Sequence, residues 1–328
     1  MHLKPANLYP SFNTVRLSHV ELGVSDLEAS KKFYVDTLGF VLTEQTDNAL
    51  YLRGLEERNH HSYILRQSDD LTVKRLAFKV FSEDDLLKAA DLFSSQNLPV
   101  QWVERHAQGK TLHTTDPFGM PLEFHFKMER VESKLQKYGE YLGMHPMRID
   151  HFNVFSPDVE RHYDFYAQHL GFRATEYTYD PDSDDAIWAV WAHRKGNVHD
   201  LAFTNGAGPR LHHSAVWVPT PLHVIHLLDV MSTTGYLANI ERGPGRHGIS
   251  NAFFLYLRDP DGHRLEVYNS DYLTVDPDLE PRAWKLRDPQ RQTLWGAPAP
   301  KSWFEEGSLF EGVAPGEPML EMKPIVAP

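Results

Sequence analysis

A chain of 328 residues with 41% hydrophobic and 12% aromatic content is long enough for two domains with real cores and too apolar to be disordered. Its 45 acidic residues outnumber 33 basic ones, and a formal net charge of -12 excludes the broad basic surface that nucleic-acid binding needs. The lack of cysteine excludes disulfides, thiolate metal sites and a cysteine nucleophile, and fits a reducing, cytoplasmic setting.

The start, MHLKPANLYP, has no secretory apolar core, and no apolar run reaches the roughly 18 residues of a membrane span. After an N-terminal arm (1–15), HVELGVSDLEASKKFYVDTLGF at 19–40 predicts a strand beginning at His19 and an Asp-capped helix over 26–38. Strands follow near 61–66 and 75–80, a second helix near 83–95, and a closing hairpin through Asp116-Pro117-Phe118-Gly119 to Leu122-Glu123. This module spans 16–127. Val131, Leu135, Tyr138 and Leu142 at helical spacing predict a linker helix within 128–148.

The pattern then repeats. HFNVFSPDVERHYDFYAQHLGF at 151–172 matches 19–40 without a gap, in its first His, in Asp seven on, Glu nine on, the Phe-Tyr pair and Leu-Gly-Phe. Strands at 199–204 and 213–218 match those of the first module, so His61 aligns with His199 and Arg75 with His213. Helices are expected over 158–170 and 221–234. A hairpin follows from 251–258 through the Asp259-Pro260-Asp261-Gly262 turn to 263–268, ending on Leu265-Glu266. This second module spans 149–275. Each is expected to be built of paired β-α-β-β-β units whose sheet forms a cup, an α+β fold. Beyond 276 the composition shifts to Pro, Arg and Trp, predicting an arm or lid over the second module with a loose end past about 315.

Glu266 is a carboxylate in mid-strand, costly unless something positive meets it. The repeat places His151 and His213 on two other strands of the same sheet. Two imidazoles and a carboxylate form the facial set of non-haem Fe(II) oxygenases, with about three positions left open. His212 is the adjacent alternative, and the alignment with Arg75 and His199 favours His213. The first module offers His19, Arg75 and Glu123 at these positions. A guanidinium cannot ligate a cation, so Arg75 is expected to neutralise Glu123, leaving one metal per chain.

The double module with His151, His213 and Glu266 resembles the vicinal oxygen chelate superfamily, and within it the type I extradiol ring-cleaving dioxygenases. The segment from His199 to Phe310, including GPGRHGISNAFFLYLRDPDGHRLEVYNSDY and DPQRQTLWGAPAPKSWFEEGS, is similar to members that act on 3,4-dihydroxyphenylacetate (homoprotocatechuate). The resemblance implies an Fe(II) or Mn(II) ion, a catechol and O2 as substrates, 5-carboxymethyl-2-hydroxymuconate semialdehyde as product, and a homotetramer. It implies His199 as the acid–base residue, with Asn153 shaping the oxygen side. Tyr256 and His247 would hydrogen-bond a catechol oxygen or the oxygenated intermediate, and Trp191 would wall the ring pocket. Arg242 and Arg291 would bind the acetate carboxylate, and Trp303 and Ser302 would cover that end. Another catechol, a glyoxalase-like lyase or a protein that sequesters a small aromatic acid are the alternatives.

Overall fold

The computed structural model describes residues 3–321. Each long repeat becomes one mixed sheet. The first holds β1 (Thr14–Val24), β2 (Val41–Thr46), β3 (Ala49–Arg53), β4 (Tyr63–Gln67), β5 (Val73–Val80), β6 (Gln101–Arg105), β7 (Gly109–Thr115) and β8 (Pro121–His125), in the order β2-β3-β4-β1-β5-β8-β7-β6. In the second are β9 (Arg148–Ser156), β10 (Arg173–Asp180), β11 (Ala186–His193), β12 (Leu201–Asn205), β13 (Arg210–Trp217), β14 (Ile240–Arg246), β15 (Phe253–Arg258) and β16 (Arg264–Asn269). Their order, β10-β11-β12-β9-β13-β16-β15-β14, is that of the first module strand for strand. Two β-α-β-β-β units thus join through one antiparallel pair at the centre of each sheet, β1 with β5 and β9 with β13.

The helices form where the sequence punctuates them. Asp26 caps α1 (Leu27–Lys31) by accepting from the Glu28 and Ala29 amides, and Asp158 caps α3 (Val159–His169) on the Arg161 amide. Between them in the chain lies α2 (Glu83–Ser95), and α4 (Pro221–Thr234) follows α3. The first expected helix differs in one respect: beyond Lys31 it widens into a π turn, Lys32–Thr37. Leu-Gly-Phe is the stop signal in both repeats, since Gly39 and Gly171 hold φ of +90° and +68°, where a Cβ is strained. The buried faces of α2 (Leu86, Ala89, Phe93) and α3 (Tyr163, Tyr166, Ala167) close the core against the sheets.

The modules grip each other through the repeat's own signature residues. Tyr34 donates to Asp259 Oδ2 at 2.9 Å, and Tyr166 donates to Asp116 Oδ2 at 3.2 Å. The other oxygen of each aspartate closes its own hairpin turn, on the Phe118 and Met120 amides and on the Asp261 and His263 amides. One carboxylate therefore serves turn and interface together.

Two expectations are corrected here. No α-helix links the modules; residues 128–147 run as irregular chain with a single 3-10 turn at Tyr138–Glu140. Leu135, Tyr138 and Leu142 stay exposed, so the helical spacing has no surface to pack on, and backbone bonds from Val131 to Arg58 and from Lys134 to Leu55 hold the segment instead. Nor does Arg75 pair with Glu123. That carboxylate is already filled: His19 Nε2 lies 3.0 Å from Oε1, while His113 Nε2 and Arg105 Nε lie 2.8 and 3.3 Å from Oε2. Arg75 feels its charge only at a distance.

The C-terminal arm adds β17 (Arg282–Lys285) to the edge of the second sheet beside β10, then passes α5 (Pro289–Gln292) and α6 (Lys301–Glu305) across its mouth. Rather than loosening past 315, the chain bonds onward through Gly316 to Gly208 and Met319 to Pro157; residues 322–328 lie outside the described residues. Among the described residues no helix is long and apolar enough to cross a membrane.

Arg264 pins α6 down. Its buried guanidinium donates to Glu241 at 2.5 and 2.9 Å, and to the carbonyls of His212, Ser302 and Glu306 at 2.9 to 3.1 Å. Burial opposes ionisation of Glu241, but hydrogen bonds from Arg264 and Arg258 outweigh it and pull the carboxyl from 4.5 down to about 2. A carboxyl depressed on folding contributes stability that is complete above pH 4.5 and is lost as the pH falls toward about 2. Glu241→Gln is therefore expected to be less stable than the parent at neutral pH, with the gap narrowing below pH 4.5. Urea unfolding at stepped pH measures it, and a gap that ignores pH through this window would exclude the ionised Glu241 as the anchor.

Candidate metal centre and active site

Three adjacent strands carry the triad: His151 on β9, His213 on β13 and Glu266 on β16. Register brings them together. Ala215 lies opposite both His151 and Glu266, and His213, two residues away on the same strand, shares its face. His151 Nε2 and His213 Nε2 stand 2.9 and 3.0 Å from Glu266 Oε2 and 3.3 Å from each other, all three residues buried. Neighbouring donors on an octahedral ion with bonds of about 2.1 Å are about 3.0 Å apart, so the set has the size of one face of such a shell.

The outer ring nitrogens are committed elsewhere, which fixes the inner ones. His151 Nδ1 donates to Asp150 Oδ2 at 3.1 Å, an oxygen also held by Tyr268 and Asn197. His213 Nδ1 lies 2.6 Å from His212 Nδ1, and His212 Nε2 lies 2.8 Å from the Trp303 carbonyl. A carbonyl only accepts, so His212 carries its proton on Nε2, its Nδ1 accepts from His213, and His213 Nε2 is bare. Two imidazole lone pairs and a carboxylate thus face one point, which suits a divalent cation and little else. Burial works against a charged Glu266, yet the two imidazoles facing it hold its carboxyl well below the usual range. Burial also pushes His213 down, to about 4, whereas Asp150 and Glu266 offset the burial of His151 and raise it.

Asp150 was not singled out from sequence, and His212 entered only as the alternative ligand to His213; both occupy β-bulges. Between β9 and β13 the pairing steps from Ala215–His151 to Val216–Ile149, skipping Asp150, and from Leu211–Val154 to His213–Asn153, skipping His212. An extra residue re-aims its side chain onto the face that strict alternation denies it.

Around the triad lies a cleft enclosing about 800 Å³, walled by Asn153, Trp191, His199, His247, Tyr256, Arg291 and Trp303 among others. The His199 ring lies against that of His151, 3.9 Å between centroids with the planes tilted by 39°, and its Nδ1 is buried without a hydrogen-bond partner. Burial, reinforced by His151, keeps it uncharged. Asn153 accepts from Thr204 at 3.1 Å. His247 donates from Nδ1 to the Gln292 carbonyl and accepts the Tyr256 hydroxyl on Nε2 at 3.0 Å. Burial and Arg242 push His247 down to about 3, while burial and Glu266 hold the Tyr256 phenol well above its ordinary value, so the pair is neutral imidazole and protonated phenol.

Two sequence-derived residues stand off the cavity wall. Ser302 turns its hydroxyl to Glu241 at 2.7 Å and serves the α6 anchor. Arg242 stacks behind the wall, its guanidinium 4.6 Å from the Trp303 ring and 4.8 Å from that of Phe254. Nη2 binds Thr293 Oγ1 at 2.8 Å, but Nε and Nη1 are buried and unpartnered. Arg291 lines the cavity with one bond, Nε to the Leu286 carbonyl. Burial lowers both guanidinium groups to about 10, which leaves them charged. Neither has a carboxylate within ion-pair distance among the described residues.

The chain matches the family profile described as the Glyoxalase/Bleomycin resistance protein/Dioxygenase superfamily over residues 16–124 and 148–267. It is 29% identical over 301 residues to a manganese-dependent 2,3-dihydroxybiphenyl 1,2-dioxygenase of Geobacillus genomosp. 3, covering 87% of this chain and 95% of that protein. A metapyrocatechase of Geobacillus stearothermophilus is also 29% identical, over 91% of this chain and 95% of its own length. Among solved structures, homoprotocatechuate 2,3-dioxygenase of Brevibacterium fuscum in complex with 3,4-dihydroxyphenylacetate superposes with a TM-score of 0.90 at 39% identity, covering 95% of this chain and 99% of that one. The homoprotocatechuate 2,3-dioxygenase of Arthrobacter globiformis gives the same score and identity over 96% of this chain and 99% of its own. With its paired modules, its buried two-histidine, one-carboxylate set and these relatives, the chain belongs to the Glyoxalase/Bleomycin resistance protein/Dioxygenase superfamily and is an extradiol ring-cleaving dioxygenase that uses Fe(II) or Mn(II).

Proposed function

We propose that the enzyme opens 3,4-dihydroxyphenylacetate beside its diol to 5-carboxymethyl-2-hydroxymuconate semialdehyde. The observation that carries this reading is the pair of buried arginines without a carboxylate of their own: Arg291 on the cavity wall, and Arg242 just behind it with Nε and Nη1 unpartnered. A buried cation without a counter-ion is costly, and a substrate carboxylate offsets that cost while accepting the unpaired donors. That the Brevibacterium fuscum structure holds this same compound adds support.

His151, His213 and Glu266 would hold the ion, which supplies Lewis acidity to the diol and a route for electron density from ring to oxygen. Substrate orientation falls to the arginines at one end and to Trp191 and Trp303, whose faces set the plane of the ring. His199 is a neutral imidazole on the cavity wall, placed to take a diol proton and return it at the ring-opening step. Asn153 borders the same side. Tyr256 keeps its proton at working pH and would turn its one O–H from His247 Nε2 to an anionic oxygen over the triad. Trp303 also accepts from His212 through its carbonyl, so the residue that roofs the cavity orients a ligand as well. A homotetramer is part of the same reading and is checked by sedimentation.

Oxygen uptake with metal-loaded enzyme tests the substrate. 3,4-Dihydroxyphenylacetate is expected to give a higher kcat/KM than catechol or 2,3-dihydroxybiphenyl. Arg291→Leu is expected to raise KM for the acid roughly 10- to 100-fold, the worth of a charge-assisted hydrogen bond of about 1.5–3 kcal/mol, and to leave catechol within about twofold. Equal effects on both would move these arginines out of carboxylate recognition and favour an uncharged catechol.

A further inference from the structure

The first module has lost the triad at the bottom of its cup but holds metal-competent residues nearer its surface. Glu44 is on β2, His60 lies in the loop before β4, and His106 sits in the turn between β6 and β7. Glu44 Oε2 is 3.0 Å from His60 Nε2 and 2.7 Å from His106 Nε2, and the three donor atoms all lie within 4.8 Å of one another. Among the described residues only the catalytic triad matches this convergence.

Several features separate this cluster from an ordinary carboxylate with two histidine neighbours. Both imidazoles aim at the same oxygen instead of spreading over two, as donors gathered on a single ion do. The His60 side chain is 5% exposed and that of His106 is 52% exposed, so a fixed anchor faces a ligand that solvent reaches. The Tyr51 ring stands 5.4 Å from His60 and 5.2 Å from His106 and sets both ring planes. His60 Nδ1 is 3.1 Å from His61 Nδ1, the outer partner that frees Nε2 for a metal.

The repeat supplies an internal comparison. Glu44 stands four residues after Phe40, and its counterpart four after Phe172 is Glu176. Glu176 is consumed by hydrogen bonds from the Ser250 amide, the Tyr272 hydroxyl and the Trp284 indole. In the first module the same strand position meets two imidazoles instead.

We propose that Glu44, His60 and His106 form a second metal site that takes one borderline divalent cation such as Zn(II), completed by water and separate from the catalytic ion. Two imidazole nitrogens and one carboxylate oxygen with an open outer side are a donor set that zinc accepts. Occupied, the site ties three separate segments together across the mouth of the first cup.

Equilibrium dialysis of the Mn(II)-loaded enzyme against low-micromolar Zn(II), followed by total metal per chain by mass spectrometry, tests it. The parent is expected to hold one equivalent more than either His106→Ala or Glu44→Gln. Both variants are expected to keep the parent's ring-cleaving activity before zinc is added. Both replaced side chains are solvent-exposed, and the second variant preserves shape. A parent that gains no extra equivalent, or extra zinc that persists in both variants, overturns the site.

Discussion

Glu266→Gln is expected to abolish metal retention and ring cleavage together while leaving the apoprotein folded. The substitution keeps the volume of a side chain flanked by the core residues Leu265 and Val267, and it keeps an oxygen for His151 and His213 to approach. What it removes is the negative charge that a divalent ion needs. The loss of affinity should exceed the roughly 10- to 100-fold that follows from disturbing an outer partner of a ligand. The apo variant should be less stable than the apo parent at neutral pH, because it loses a carboxylate that the folded site holds below its ordinary range. Thermal midpoints with and without Mn(II) separate the effects: whatever the offset between the apoproteins, the metal-dependent rise of the parent vanishes in the variant. A variant that keeps a full equivalent of metal through dialysis would remove Glu266 from the ligand set.

His199→Phe is expected to lower kcat by about 10²- to 10⁴-fold, the range of general acid–base catalysis, with metal content unchanged and KM moved by less than about threefold. Phenylalanine can keep the ring contact with His151 at 3.9 Å, so the metal-bearing strands should hold their register. It lacks any ring nitrogen to take or give a proton at the cavity wall. A kcat within about tenfold of the parent would assign proton movement to another group.

Much of this was legible in the sequence because a gapless repeat reports on topology. Matching His19 to His151 and Glu123 to Glu266 placed the ligands on corresponding strands, and the strand orders of the two sheets proved identical. The capped helices and the hairpin turn also followed from local chemistry. Period-two alternation reached its limit at the bulges. Strict alternation would turn Asp150 and His212 away from the face of their ligand neighbours, and a single inserted residue turns each toward it. The Arg75 pairing failed for a different reason: alignment identifies equivalent positions but not competitors, and His113 and Arg105 reach Glu123 from neighbouring strands. In the linker, spacing was read as burial. A helical period predicts a helix only when something covers the stripe, and Leu135 and Tyr138 face solvent.

The crossed bonds of Tyr34 to Asp259 and Tyr166 to Asp116 have the logic of a twofold dimer written into one polypeptide. In an isologous contact each half offers the same patch and receives it back, and here both halves still carry tyrosine and aspartate at matching places. Either half could therefore satisfy a copy of itself. The present chain carries both halves of such a pair on one backbone, with the catalytic triad in the second. The first half fills its inner carboxylate with His19, His113 and Arg105 and still braces its partner's turn, so the bracing role does not depend on the triad.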